Sequence, residues 1–200
     1  MIKRILGLFL LAGLFLITSS CKSQIKVNSG DVEHAKSIIF LIGDGMGLNQ
    51  ILAAMTVNGG ALHLEGCTHA GLQKTQSADN YITDSAASGT AMACGQKTNN
   101  GYIGMDTAGN NLVSILKIAD QHGKSTGLVS TSVITHATPA GLIAAIRSRG
   151  DEAEIAVQML EAGAHVLFGG GRKQWLPKSD PEGERNDGRN LWAEAHEAGY

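Results

Sequence analysis

A run of large apolar and β-branched residues, Ile38 to Ile42, is followed at once by Gly43-Asp44-Gly45. Such a run predicts a buried strand, which we place at Ser37–Ile42. A carboxylate that follows a buried strand lies where an open α/β sheet carries its functional groups. The flanking glycines leave room for a ligand to approach Asp44 closely. This segment therefore predicts an α/β fold with a ligand site at the strand ends.

Three interpretations of Asp44 follow from this segment. A dinucleotide site is disfavoured, because glycines 43, 45 and 47 lack the G-x-G-x-x-G spacing and Asp44 would bring negative charge to the pyrophosphate. For a metal site the negative charge of Asp44 is an advantage, because hard and borderline cations prefer carboxylate ligands. The third interpretation is that Asp44 only caps the following helix, and for this segment taken alone it is the commonest explanation.

The rest of the chain alternates between strand-like and helix-like segments, which predicts an α/β fold with a largely parallel central sheet and helices on both faces. The predicted strands are Ser37–Ile42, His69–Gln73, Ser125–Ser130 and Ala164–Phe168. The predicted helices are Leu48–Val57, Ser85–Cys94, Leu112–His122, Pro139–Arg149, Glu152–Ala162 and Arg189–Ala198. The polar residues 178–190 are predicted to form a surface loop. So few strands for a fold of this kind predict that residues 36–200 are a fragment of one larger domain.

The first 20 residues are predicted to be a signal peptide, because Lys3 and Arg4 precede an apolar run too short to span a membrane comfortably. Cys21 follows small polar residues and resembles a lipoprotein processing site. An ordinary cleavage site nearby and an uncleaved anchor remain alternatives. We expect an exported protein, either periplasmic or attached to a membrane through a lipid on Cys21, with a polar linker at 21–35.

The charge limits which classes of partner are expected, and the cysteines leave the disulfide state open. The formal net charge is −2 and no basic cluster is present, so we expect no nucleic-acid binding. Cys67 and Cys94 could form one disulfide in an oxidising compartment, or they could be two small buried residues. The sequence leaves both possibilities open.

A reactive hydroxyl lies at the predicted start of the helix Ser85–Cys94. Thr83 or Asp84 can cap this helix, which places Ser85 in its first turn. There the free N–H groups and the helix dipole favour an anion such as phosphate. A serine becomes a nucleophile only when a base or metal activates it, and no G-x-S-x-G motif supports a serine hydrolase. A plain capped helix is the structural alternative.

A second group of polar residues flanks the predicted helix Pro139–Arg149. Thr138 is predicted to cap this helix with Pro139 in its first position. The Thr138 hydroxyl could also bind a hard cation with His136 close by, although a single histidine is more often a hydrogen-bonded bystander. Arg149 can hold two phosphate oxygens at once, whereas a solvated arginine at a helix C-terminus is the commoner case.

Taken together, four segments resemble the alkaline phosphatases in order and spacing: LIGDGMG at 41–47, TDSAAS at 83–88, HATPA at 136–140 and SR at 148–149. The resemblance runs from about residue 37 to the end of the chain. It implies metal-dependent hydrolysis of phosphate monoesters through a phosphoserine, with Zn²⁺ and Mg²⁺ as cofactors. It also implies a homodimer for the full-length protein.

The resemblance implies roles for the matching residues. Asp44 would bridge a zinc and a magnesium ion, and Ser85 would be the nucleophile and a zinc ligand in the free enzyme. Thr138 would bind magnesium, and Arg149 would hold the phosphate oxygens. His136 occupies a position where some bacterial members carry aspartate and animal members carry histidine, so it is a further candidate metal ligand.

The family's remaining zinc and magnesium ligands lie beyond the position of Tyr200, so residues 1–200 alone are predicted to be inactive. Two other functions stay open. One is a non-catalytic remnant that binds phosphate or metal, and the other is a related metal hydrolase of phosphodiesters or sulfate esters. Arg149 favours monoesters, because a dianionic terminal phosphate suits a bidentate guanidinium best.

Overall fold

The structure, a computed structural model, describes residues 35–200. The chain divides into two units, Met1–Leu41 and Ile42–Tyr200, and the first is described only from residue 35. The predicted signal peptide, Cys21 and nearly all of the predicted linker lie outside the described residues. Within residues 35–200, every helix is too short or too polar to cross a membrane.

The unit Ile42–Tyr200 contains six α-helices and two strands. In chain order they are α1 (Leu48–Val57), α2 (Ser85–Cys94), α3 (Ile115–Gln121), β1 (Gly127–Val133), α4 (Ala137–Ala140), α5 (Glu152–Glu161), β2 (Val166–Gly170) and α6 (Leu191–Glu197). Short 3₁₀ turns lie at His63–Gly66 and Arg172–Gln174. The predicted bounds of α1 and α2 are confirmed, while α3, α5 and α6 are shorter than predicted.

β1 and β2 form a parallel pair, so the predicted α/β class with parallel pairing and helices is confirmed. Leu128 lies opposite Leu167, and Val129 lies opposite Phe168. Leu128 is buried in the core, whereas Val129 and Phe168 on the other face are 75% and 66% exposed. The register shifts between Val129 and Val133, where the ladder is irregular.

The predicted strands Ser37–Ile42 and His69–Gln73 are wrong, because neither segment has strand structure. Large side chains in them, such as Ile39 and Leu72, are exposed. β-Branched residues favour an extended backbone, but a strand needs a hydrogen-bonded neighbour. Within residues 35–200, only β1 and β2 form a ladder of paired strands.

The predicted helix Pro139–Arg149 is also wrong, because α4 ends at Ala140. Ile146 instead forms an antiparallel bridge with Ile103, and both backbone hydrogen bonds between them are 2.9 Å long. These bonds engage the backbone groups that a continuing helix would need. The N-cap residue of α4 is His136 and not Thr138, so Pro139 lies in the third helical position.

The core of this unit gathers apolar side chains from α5, both strands and the segment after α4. Its fully buried large members are Ile103, Ile143, Ile155, Met159 and Leu191. Cys67 and Cys94 are both free thiols, so the disulfide is not formed, and the alternative of two buried residues is also wrong because Cys67 is exposed. Burial raises the pKa of the Cys94 thiol above its ordinary value.

Gly104 allows two backbone segments to approach closely, and we expect Gly104→Ala to destabilise the fold strongly. Its φ is +58°, and a Cβ built there would lie 2.0 Å from the carbonyl oxygen of Ala144. Relieving that overlap requires a backbone shift in addition to the strain of positive φ. We expect the free energy of unfolding, measured by urea titration, to fall by about 3 kcal/mol or more.

Gly95 provides the matched control for this substitution. Its φ is +71°, but nothing lies within 4 Å of a Cβ built there. Gly95→Ala should therefore lower the free energy of unfolding by only about 1–2 kcal/mol, the cost of holding alanine in the left-handed backbone conformation. Equal losses for the two variants would contradict the close approach at Gly104.

Candidate active site

Asp44 lies in a tight turn that leads into α1. The N–H of Met46 donates to the carbonyl of Gly43 at 3.2 Å, and Gly45 has a φ of +65° that favours glycine. The N-cap residue of α1 is Gly47, whose N–H donates to the Gln50 side chain at 3.1 Å. The interpretation of Asp44 as a helix cap is therefore wrong, and its carboxylate remains available for other partners.

Two hydroxyls donate to the Asp44 carboxylate, one to each oxygen. Ser85 Oγ donates to Asp44 Oδ1 at 3.2 Å, and Thr138 Oγ1 donates to Asp44 Oδ2 at 2.8 Å. Ser85 and Thr138 lie 41 and 94 residues from Asp44 in the sequence. The structure thus brings together three of the residues that the sequence predicts for one site.

Gly89 and Gly141 let α4 approach α2 closely, which brings Thr138 near Ser85. Gly89 follows Ser85 by four residues and so lies on the same face of α2. A Cβ on Gly89 would lie 3.5 Å from Thr138 Cα, and a Cβ on Gly141 would lie 3.0 Å from the carbonyl carbon of Gly89. Larger side chains at this contact would separate the two hydroxyls.

Asp84 does more than cap α2. Its Oδ1 accepts from the N–H of Ala87 at 2.9 Å, which confirms the predicted cap. Its Oδ2 accepts from the N–H of Gly101 and from Nη1 of Arg149, each at 3.1 Å. This second contact was not predicted from the sequence, because Asp84 and Arg149 lie 65 residues apart. The only available signal was an acid immediately before the candidate nucleophile.

Arg149 is held from three sides. Besides the contact with Asp84, its Nη2 donates to Nε2 of His136 at 3.1 Å, and its backbone N–H donates to the carbonyl of Gly101 at 2.9 Å. A guanidinium only donates, so His136 accepts through Nε2 and carries its proton on Nδ1. The structure therefore places His136, a predicted metal ligand, against the predicted phosphate-binding arginine.

The donor set can be tested against the predicted cations. The Asp44 carboxylate with the Ser85 and Thr138 hydroxyls supplies oxygen ligands of the kind that Mg²⁺ prefers. Zn²⁺ normally takes three or four protein ligands. Residues 35–200 contain no group of three or more His, Cys, Asp and Glu side chains that could hold a metal. The side chains of Asp44, Ser85 and Thr138 therefore fit the oxygen side of a divalent-cation site but are too few for a zinc site.

Comparisons with known proteins identify similar chains. A family model described as alkaline phosphatase matches residues 35–200. Alkaline phosphatase 4 of Bacillus subtilis is 40% identical over 185 residues, which cover 85% of this chain and 38% of that protein. The alkaline phosphatase of Escherichia coli is 38% identical over 195 residues, which cover 83% of this chain and 41% of that protein.

A solved structure is similar as well. It is a mutant of the TAB5 alkaline phosphatase with magnesium bound in its M3 site, and it matches with a TM-score of 0.71 and 36% identity. The match covers 77% of this chain and 42% of that chain. This chain therefore spans less than half the length of the curated and solved relatives described here.

Proposed function

This chain belongs to the alkaline phosphatase family, and we propose that the full-length protein hydrolyses phosphate monoesters through a phosphoserine formed at Ser85. The observation that carries the proposal is the position of Ser85 in the first turn of α2. The Ser85 hydroxyl donates to Asp44. Asp84, the residue directly before Ser85, accepts a hydrogen bond from Arg149. A nucleophile, a carboxylate and a guanidinium thus meet at the anion-favouring end of a helix.

In the proposed reaction, Ser85 Oγ attacks the phosphorus atom of the ester. The Oγ–P bond forms as the bond between phosphorus and the ester oxygen breaks, and the alcohol leaves. Water then attacks the phosphoserine, releasing inorganic phosphate and restoring the hydroxyl. Asp44 orients the Ser85 hydroxyl through the hydrogen bond to its Oδ1. A carboxylate in this position also favours loss of the hydroxyl proton.

Arg149 is proposed to bind the non-bridging oxygens of the phosphoryl group. Its contacts with Asp84 and His136 engage two of its five N–H donors, so other donors can bind phosphate. Because Asp84 and His136 hold the guanidinium before substrate arrives, little reorganisation accompanies the development of charge.

Zn²⁺ and Mg²⁺ are the proposed cofactors, and this chain's proposed ligands for them are Asp44, Ser85 and Thr138. His136, the fourth candidate ligand from the sequence, instead accepts from Arg149 through Nε2. When bound, such cations neutralise charge on the transferring phosphoryl group and make a hydroxyl or water a better nucleophile. We also propose that the protein is exported, to the periplasm or to a membrane through a lipid on Cys21, and that the full-length protein is a homodimer. The support for export is the sequence pattern of residues 1–21.

The test is hydrolysis of p-nitrophenyl phosphate by the full-length protein and by residues 1–200 alone. We expect the full-length protein to release phosphate and to lose this activity when a chelator removes its metals. We expect residues 1–200 to be inactive, because the described residues supply only part of a metal site.

Three outcomes would contradict parts of this proposal. Activity of residues 1–200 would show that the chain needs no further ligands. Faster hydrolysis of bis-p-nitrophenyl phosphate or p-nitrophenyl sulfate would favour a phosphodiesterase or sulfatase. Phosphate binding without any hydrolysis by the full-length protein would favour a non-catalytic remnant.

A further inference from the structure

Two neighbouring side-chain hydrogen bonds join the segment before α4 to Arg149 and to Glu152, the first residue of α5. One is the contact between His136 Nε2 and Arg149 Nη2 at 3.1 Å. The other runs from Thr135 Oγ1 to Glu152 Oε2 and is 2.6 Å long. Thr135 is fully buried, so its hydroxyl depends on this acceptor within the protein.

Both ends of the second bond are fixed in the fold. Thr135 lies between the end of β1 and His136, whose N–H donates to the carbonyl of Val133 at 3.1 Å. Glu152 is the first residue of α5, and the preceding Asp151 donates its N–H to the carbonyl of Ser148 at 3.1 Å. A bond between two such fixed points can hold the segments at a constant separation.

We propose that Thr135 and Glu152 are positioning residues that hold His136 against Arg149 and thereby orient the guanidinium for phosphate. The inference rests on the proposed function. A hydroxyl that donates to a carboxylate makes a short, strong hydrogen bond, whereas the contact between His136 and Arg149 is longer. The stronger bond lies one residue from His136 and three residues from Arg149. It therefore limits how far the weaker contact can open.

The test is a double-mutant cycle in the full-length protein, with kcat/KM for p-nitrophenyl phosphate as the readout. Thr135→Val removes the hydroxyl at nearly constant volume and should lower kcat/KM about tenfold, because misplaced groups lose transition-state binding. Thr135→Ser keeps the donor and should restore most of the rate. In an Arg149→Ala background, Thr135→Val should change kcat/KM less than about twofold.

Thr98 supplies the matched control, because it is also fully buried but its hydroxyl has no hydrogen-bond partner among the described residues. Thr98→Val should leave kcat/KM unchanged. If Thr135→Val does not fold, Glu152→Ala removes the acceptor from the other side and should show the same dependence on Arg149. Equal losses in both backgrounds would show a merely structural role and overturn the proposal, as would the absence of any loss.

A second readout separates this proposal from the proposed function. If the wild-type protein hydrolyses no phosphate ester, the proposed function fails, and crystal structures of wild type and Thr135→Val decide the positioning role. A longer distance between Arg149 Nη2 and His136 Nε2 in the variant would support it. An unchanged distance would overturn it.

Discussion

Replacing Ser85 by alanine is expected to lower kcat of the full-length protein toward p-nitrophenyl phosphate by at least about 10³-fold, because removal of a nucleophile eliminates the covalent route. The loss should be larger than that caused by any other substitution in the site. The other residues bind or orient the phosphoryl group, whereas Ser85 forms the bond to it. The measurements are kcat and the incorporation of ³²P from a labelled monoester after an acid quench.

Ser88 provides the control on the same helix. Its hydroxyl donates to the backbone carbonyl of Asp84 at 2.8 Å, a bond within α2 that does not involve the carboxylate. Ser88→Ala should therefore keep both activity and labelling. Retention of the ³²P label in Ser85→Ala would show that the phosphorylated residue lies elsewhere.

Replacing Arg185 by methionine is expected to lower the free energy of unfolding by about 2 kcal/mol or more, because two backbone carbonyls lose their donor. The guanidinium is buried, and it donates to the carbonyls of Ala153 at 2.7 Å and Gln174 at 3.1 Å. It also donates to both carboxylate oxygens of Asp187. Methionine fills similar space but leaves the two carbonyls without a donor. Urea titration of wild type and variant measures the difference in the free energy of unfolding.

Arg189 is the matched control for Arg185. It pairs with Glu194 through two hydrogen bonds, but its side chain is 39% exposed. Arg189→Met should cost less than about 1 kcal/mol, because exposed ion pairs contribute little. Similar losses for the two variants would contradict the role of burial at Arg185.

The pair of Arg185 and Asp187 also makes stability depend on pH. The hydrogen bond from Arg185 lowers the pKa of the Asp187 carboxyl from its ordinary 3.8. A carboxyl whose pKa is lower in the folded state contributes stability above the unfolded pKa. That contribution is lost as pH falls through the lowered folded pKa, and it should be absent from Arg185→Met.

Much of the local structure and part of the site follow from short sequence patterns. The bounds of α1 and α2 were predictable because helix formers and helix ends are local signals. The meeting of Asp44, Ser85 and Thr138 was predictable only because their motifs resemble one family. No composition or periodicity indicates a contact across 94 residues.

Other features depend on tertiary contacts that the sequence does not display. The helix predicted from Pro139 gives way to the bridge between Ile103 and Ile146, which is stabilised from another part of the chain. Arg185 lies in a polar segment that predicts an exposed loop, and its burial depends on carbonyls from residues 153 and 174. The pairing of Asp84 with Arg149 was missed for the same reason.

The open face of the sheet, where Val129 and Phe168 lie side by side, has a consequence for handling the polypeptide. Apolar patches of this kind promote self-association, and sulfate salts strengthen it because they are excluded from protein surfaces. These two positions should govern colloidal behaviour of residues 35–200 more than their folding. Val129→Thr retains a β-branched side chain and offers a route to a more soluble preparation.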